Sequence, residues 1–275
     1  MVDFREITKN SKLYNFHSHT QFCDGRATME EFVVEAVKRG FTHYGFTPHS
    51  PIPFSSPCNM KHEDVPAYMT EYKRLKNAYG DSINLFLSME IDYLGEHWGA
   101  TSSFFDSLPL DYRLSSVHFI PSFVDSSEMV DIDGNFLSFR KKMGIYFGND
   151  IEAVVRSFYA QSLSMIEAGG FDIIGHFDKI GHNAGHFSEG IEREKWYIEL
   201  VEQTFEAIMD NNLIIEVNTK ALKDHCRTFP NEQFYYMLTK YSAPLLINSD
   251  AHYPELINAG REETMSLLTT HGINL

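Results

Sequence analysis

Short apolar runs alternate with longer amphipathic stretches along nearly the whole chain, and this alternation restricts the fold more than any other feature. Residues 13–16, 44–47, 83–88, 112–117, 172–175, 213–218 and 244–248 are rich in aliphatic, aromatic and β-branched side chains and read as seven strands. Between them, residues 29–39, 64–79, 151–168, 191–210, 232–240 and 254–270 read as helices. Several carry apolar positions at helical spacing, such as Phe32, Val33, Ala36 and Val37. Thr28 before Glu30 and Glu31 predicts a helix N-cap, and Gly40, Gly80, Gly169 and Gly170 fall where helices should stop. Strand–helix alternation predicts an α/β fold with a parallel sheet, closed or nearly closed as a barrel. Residues 95–150 break the pattern. They hold one clear strand among stretches rich in Ser, Asp, Gly and Phe, and read as a loop-rich insert on the substrate side of a single domain spanning 1–275.

Composition excludes some partners. The 275 residues carry 43% hydrophobic and 22% charged side chains, as expected of a globular chain with a sizeable core. No apolar run approaches the roughly 20 residues that span a bilayer. The first residues are acidic and polar and lack a signal-peptide core. Three scattered cysteines (Cys23, Cys58 and Cys226) suggest no disulfide framework, so a cytoplasmic setting and no membrane partner are expected. A net charge of −15 weighs against nucleic acid and favours a small substrate. Oligomeric state leaves no mark in the sequence.

Residues able to bind metals sit at the strand ends. His17 and His19 follow the first strand two residues apart, so an extended chain presents both imidazoles on one face. Asp24 precedes Gly25 in a turn. His49, Glu90, His118 and His176 end later strands, and Asp250 and His252 repeat the two-residue spacing after the last. Singly, each has an ordinary explanation, a hydrogen-bonded histidine or a capping carboxylate. Together, nine such side chains on six strand ends converge on one face, because loops after parallel barrel strands gather at the C-terminal end. His43, His62, His97, His186, His225 and His271 lie away from strand ends and read as ordinary histidines. Cys23 reads as packing.

The ordered set His17-Ser18-His19, Asp24-Gly25, His49, Glu90, His118, Gly175-His176 and Ser249-Asp250-Ala251-His252 resembles the PHP (polymerase and histidinol phosphatase) metallohydrolases over essentially the whole chain. The stretches Ser116 to Phe119, Val130 to Asp133, and Tyr146 to Glu152 leading into Tyr159 are most similar to the histidinol-phosphate phosphatase branch. The resemblance implies a distorted seven-stranded (β/α)7 TIM-like barrel, which agrees with the seven strands read independently, and a metal site at the C-terminal face of the strands. It also implies three divalent metal ions: the first on His17, His19, Glu90 and Asp250, the second on Glu90, His118 and His176, the third on Asp24, His49 and His252. Imidazole and carboxylate donors suit Zn, Mn or Fe. Two departures stand out. Asp24 lies where many relatives carry histidine, and Thr47-Pro48 precedes His49 where many carry an acidic residue.

The implied activity is hydrolysis of L-histidinol phosphate to L-histidinol and phosphate, a step of histidine biosynthesis, with Glu90, Asp250 and His252 as the catalytic residues. The alternative is a PHP phosphoesterase acting on nucleotides or short oligonucleotides, which the acidic charge and the insert disfavour. A third reading, a non-catalytic accessory module, has no need of the full ligand set. Charge counting fits a phosphate: three divalent ions less Asp24, Glu90 and Asp250 leave about plus three, enough for a phosphate dianion and a hydroxide. Lys220 and His182 stand where histidinol phosphatases often carry arginine, and with nearby Lys179 they are the expected substrate-binding residues. Lys220 reads equally well as a solvated lysine at a strand end. Phe119, Phe123, Asp131 and Asp133 in the insert are candidates for meeting the cationic, aromatic part of the substrate.

Overall fold

The computed structural model describes residues 2–273. Ten strands lie among them: β1 (Tyr14–Asn15), β2 (His43–Phe46), β3 (Asn84–Leu87), β4 (Glu90–Asp92), β5 (Leu114–Ser116), β6 (Phe119–Pro121), β7 (Met129–Asp131), β8 (Ile173–Ile174), β9 (Ile214–Asn218) and β10 (Leu245–Asn248). Each of the seven runs read as a strand overlaps one of them. β1, β2 and β3 form one parallel sheet, and β10, β9, β8, β5 and β4 form a second. The fold is therefore α/β with parallel sheets. Ladder pairing yields two arcs rather than one continuous ring; they meet at two isolated parallel bridges, Ser18 with Ala251 and His49 with Glu90. The third run forms β3 in the first arc; β4 begins two residues beyond that run, is not among the seven runs read as strands, and joins the second arc.

The helices follow the expected order with shifted ends. Thr28 caps the helix Met29–Lys38 through a reciprocal box with Glu31. Residues 191–210 divide into a 3₁₀ turn and the helix Lys195–Asp210. Residues 254–270 are interrupted at Gly260, whose φ of 69° cannot continue a helix, so the last helix is Arg261–Thr270. The insert is more ordered than expected. It holds the antiparallel hairpin β6–β7 and the helix Phe136–Tyr146, and its three-residue strands are too short to show a period in sequence. No helix among the described residues is long and apolar enough to cross a membrane.

Alternation along the strands sorts side chains into layers. Tyr44, Phe46, Leu85, Leu87, Ile174, Ile215, Val217, Leu245 and Ile247 join the large core shared with the helices. The opposite faces carry Leu114, Ile173, Ile214 and Leu246, which pack with Phe16 and Tyr112 against Phe4 and Ile7 of the N-terminal helix Phe4–Asn10. Two residues further along the same strands this inner face becomes polar: Ser116, Gly175, Glu216 and Asn248. A Cβ on Gly175 would lie 2.4 Å from Ser116 Oγ, so only glycine leaves room for this layer. The strands next reach the ligand-bearing ends. An apolar plug thus supports a polar layer, and the polar layer supports the site.

β1 and β10 lie side by side, yet side chains rather than a ladder join them. The Phe16 amide donates to Asn248 Oδ1 (2.9 Å) and the Ser249 amide to Asn15 Oδ1 (2.9 Å). Buried Arg261 donates to the carbonyls of Tyr14 and Ile247, with its guanidinium 4.8 Å from the Tyr14 ring centroid. Arg261→Leu leaves two buried carbonyls unsatisfied at this seam. It is expected to lower unfolding stability by about 2–4 kcal/mol, read as a lower denaturant midpoint at unchanged m-value.

Candidate metal centre

All nine strand-end residues named as ligands are brought together, six of them buried. Four atoms form the first group. His19 Nε2 lies 3.0 Å from Asp250 Oδ1 and 3.5 Å from Glu90 Oε2, and His17 Nε2 lies 3.3 Å from Glu90 Oε2 and 3.8 Å from Asp250 Oδ1. The two Nε2 atoms are 3.3 Å apart. Tetrahedral ligands at zinc bond lengths sit about 3.4 Å from one another, so this spacing fits an ion in the middle. Glu90 turns its other oxygen to the second group. Its Oε1 is 2.9 Å from His176 Nε2 and 3.4 Å from His118 Nε2, with those nitrogens 3.4 Å apart. One buried carboxylate thus faces two groups, one oxygen to each. In the third group Asp24 Oδ1 lies 3.3 Å from His252 Nε2 and 3.9 Å from His49 Nε2; it is also 3.6 Å from His19 Nδ1, so His19 borders two groups. Asp250 adopts a left-handed φ of 47°, a conformation that costs about 1–2 kcal/mol and that concentrates at functional sites.

Two carboxylates that sequence reading passed over orient these imidazoles. Glu216 Oε1 accepts from His17 Nδ1 at 2.6 Å, and Asp92 Oδ1 accepts from His118 Nδ1 at 2.7 Å. A carboxylate only accepts, so each Nδ1 carries the proton and each Nε2 lone pair turns inward. The signals were present: Asp92 follows Glu90 by one strand period, and Glu216 interrupts an apolar strand.

Electrostatics describe a site built for cations. Burial disfavours charge on His17, yet Glu216, Glu90 and Asp250 raise it well above the ordinary imidazole value; Glu90 and Asp92 do the same for buried His118. Burial lowers His19, His176 and His252, helped by neighbouring histidines at His19, by Lys179 at His176 and by Lys220 at His252. Burial opposes ionisation of Glu90 and Asp250, but the surrounding cations hold both well below the usual carboxylate range. Asp24 Oδ1, His49 Nδ1 and Glu90 Oε2 are buried without a hydrogen-bond partner. Orphaned donor atoms of this type, with lone pairs of paired imidazoles facing each other, fit divalent ions. Cys23 is not part of the set: burial, then Asp24, pushes its thiol up to about 12.

The residues expected at the substrate divide. A cavity of about 1020 Å³ opens over the ligands and is lined in part by Asp24, His49, His118, His252, Lys179 and Lys220. Lys220 Nζ lies 3.1 Å from Asp250 Oδ1 and 3.4 Å from His252 Nε2. Lys179 lines the cavity but pairs with Asp133 at 2.7 Å. His182 also lines it, and packs against His186 and His225 rather than the ligands. Phe119 and Asp131 line the wall, where Asp131 is tied to Lys142 at 2.7 Å; Phe123 packs on Phe147 instead.

The PHP domain family matches residues 15–220. The chain belongs to that family. Histidinol-phosphatase from Bacillus subtilis (strain 168) is 28% identical to this PHP domain over 262 residues, 86% of this chain and 92% of that protein. Among solved structures, HisK from Listeria monocytogenes superposes with a TM-score of 0.78 at 19% identity, over 91% of this chain and 99% of that one. Histidinol phosphate phosphatase from Lactococcus lactis subsp. lactis Il1403, solved with zinc, L-histidinol and phosphate, gives a TM-score of 0.71 at 20% identity, over 96% of this chain and 95% of that one.

Two outcomes are expected of this PHP domain. Glu216→Gln removes the acceptor charge behind His17 and is expected to weaken zinc binding about 10- to 100-fold, measured by chelator competition on protein with unchanged circular dichroism. Metal must also displace the protons that His17 and His118 hold in the metal-free protein. Each proton belongs to a different ligand group, so zinc affinity is expected to climb with pH by up to about tenfold per unit for each of these two ions below the raised values. A pH-independent affinity contradicts this.

Proposed function

We propose that this PHP domain is a metal-dependent phosphomonoesterase that hydrolyses L-histidinol phosphate to L-histidinol and phosphate. One observation carries the reading: a carboxylate-bridged ligand cluster lies at the floor of a cavity whose wall bears two lysines, acids and aromatic rings. The names of the Bacillus subtilis and Lactococcus lactis relatives support the choice of substrate. Counting the consecutive β3 and β4 as one interrupted strand, we read the two sheet arcs as one distorted seven-stranded barrel in a single domain, with residues 95–150 as its substrate-side insert. Three unpaired cysteines agree with a cytoplasmic enzyme.

Three divalent ions (Zn, Mn or Fe) are assigned to the three ligand groups. When bound, such ions lower the pKa of water and offset charge on a transferring phosphoryl group. The chain's own residues do the rest. Glu90 holds two groups in register through its two oxygens. Asp250 and His252 border both the ligands and Lys220, and so act where the phosphate reacts. Lys220 releases Asp250 to take a phosphate oxygen, and Lys179 adds a second cation, with Asp133 keeping it charged. His182 contributes to the wall beyond. Asp24, Glu90, Asp250, Glu216, Asp92 and Asp133 set against three divalent ions and two lysines leave about plus two, the complement of a phosphate dianion.

Purified protein reconstituted with Zn²⁺, Mn²⁺ or Fe²⁺ is expected to release phosphate from L-histidinol phosphate with kcat/KM at least about tenfold above nucleoside monophosphates and an aryl phosphate, a margin of about 1.4 kcal/mol. A nucleotide preference of that size overturns the assignment. Lys220→Met is expected to cut kcat/KM by about 10- to 100-fold, and Glu90→Gln to lose about two ions per chain by elemental analysis.

A further inference from the structure

A second group of imidazoles gathers on the wall of the same cavity, apart from the ligand cluster. His182 and His186 lie four residues apart on the helix Ile180–Phe187, so their side chains share one face. His225 ends the short helix Leu222–His225 and brings its ring centroid to 4.4 Å from that of His182. The His182 and His186 rings are 4.8 Å apart, and one nitrogen from each of the three residues lies within 4.8 Å of the others. Among the described residues none of these ring nitrogens has a hydrogen-bond or ion-pair partner. All three side chains line the cavity, and His186 and His225 are exposed.

We propose that His182, His186 and His225 form a further metal site, separate from the ligand cluster, that takes one Zn²⁺, Ni²⁺ or Cu²⁺ ion on the cavity wall. Neutral imidazoles without carboxylate or thiolate suit these ions better than Mg²⁺ or Ca²⁺. A histidine pair at i and i+4 on one helix face is a known chelating arrangement, and His225 adds the third donor from a different element. Tetrahedral donors stand about 3.4 Å apart, so the ring nitrogens need to close by up to about 1.4 Å. The exposed rings of His186 and His225 reach that by small side-chain rotations. Burial, then His225 and His186, lowers His182 to about 4, so its nitrogens are free of the extra proton at neutral pH. Three protein nitrogens leave one coordination position for water or for a donor atom of a molecule in the cavity.

The site does not depend on which substrate the enzyme takes, and its test does not read catalysis. Protein already loaded at the ligand cluster is dialysed against increasing Zn²⁺, and bound metal is counted for wild type and for the double variant His186→Ala/His225→Ala. Both substituted residues are exposed and lie outside the catalytic ligand set. Wild type is expected to take up about one ion per chain more than the variant. Cu²⁺ added to the zinc-loaded wild type is expected to give an electron paramagnetic resonance spectrum with nitrogen couplings that the variant lacks. Equal stoichiometry in the two proteins, or identical Cu²⁺ spectra, overturns the proposal.

Discussion

Glu216 is the group on which the arrangement of the site depends. It is fully buried and takes four contacts at its two oxygens: His17 Nδ1 and Asn248 Nδ2 at one, the His176 amide and Asn218 Nδ2 at the other. A carboxylate taken out of water without such partners would be expelled or neutralised. Here every lone pair is used. The same contacts hold together β9, β10, the end of β1 and the end of β8, strands on both sides of the seam between the two arcs. Glu216 therefore acts twice, fixing the tautomer of one ligand and closing the polar layer beneath all of them.

That layer explains how a site of so many like-charged and like-polar groups is sustained. Below it, aromatic and aliphatic side chains exclude water. Above it, imidazole lone pairs and carboxylate oxygens point at each other, an arrangement that is unfavourable unless cations sit between them. Rigidity comes from the plug and from the Asn15, Asn248 and Arg261 stitching at β1 and β10. Affinity for metal comes from the crowding above. Where fold and site meet, the ladder gives way to side-chain hydrogen bonds, which is why β1 and β8 span only two residues each.

Reading the sequence located seven of the ten strands to within a residue or two and named nine strand-end residues that the structure brings together. It did so because strand ends and ligand-type residues coincide in order, a pattern independent of packing detail. It missed Asp92 and Glu216, since one carboxylate at an apolar strand position has no visible partner until the strand 26 or 199 residues away is in place. It treated His186 and His225 as ordinary histidines because neither ends a strand. Their meeting with His182 arises from helices of eight and four residues, too short for a helical period to stand out in the sequence. The insert's hairpin went unread for the same reason. Asp131 and Asp133, offered as partners for a cationic substrate, turn out to hold Lys142 and Lys179.

The sequence by itself determined the α/β class, the order of the elements and the family, because period-two and helical spacings are local and the ligands punctuate them. Only the tertiary structure decided how the two arcs meet, which oxygen of Glu90 faces which group, and which nitrogen of His17 and His118 is turned inward. These are matters of distances between residues far apart in the chain, and no local spacing encodes them. Two imidazoles two residues apart were a suggestion of a metal site. Glu216 behind one of them, with Asp250 and Glu90 before both, gives that suggestion its geometry.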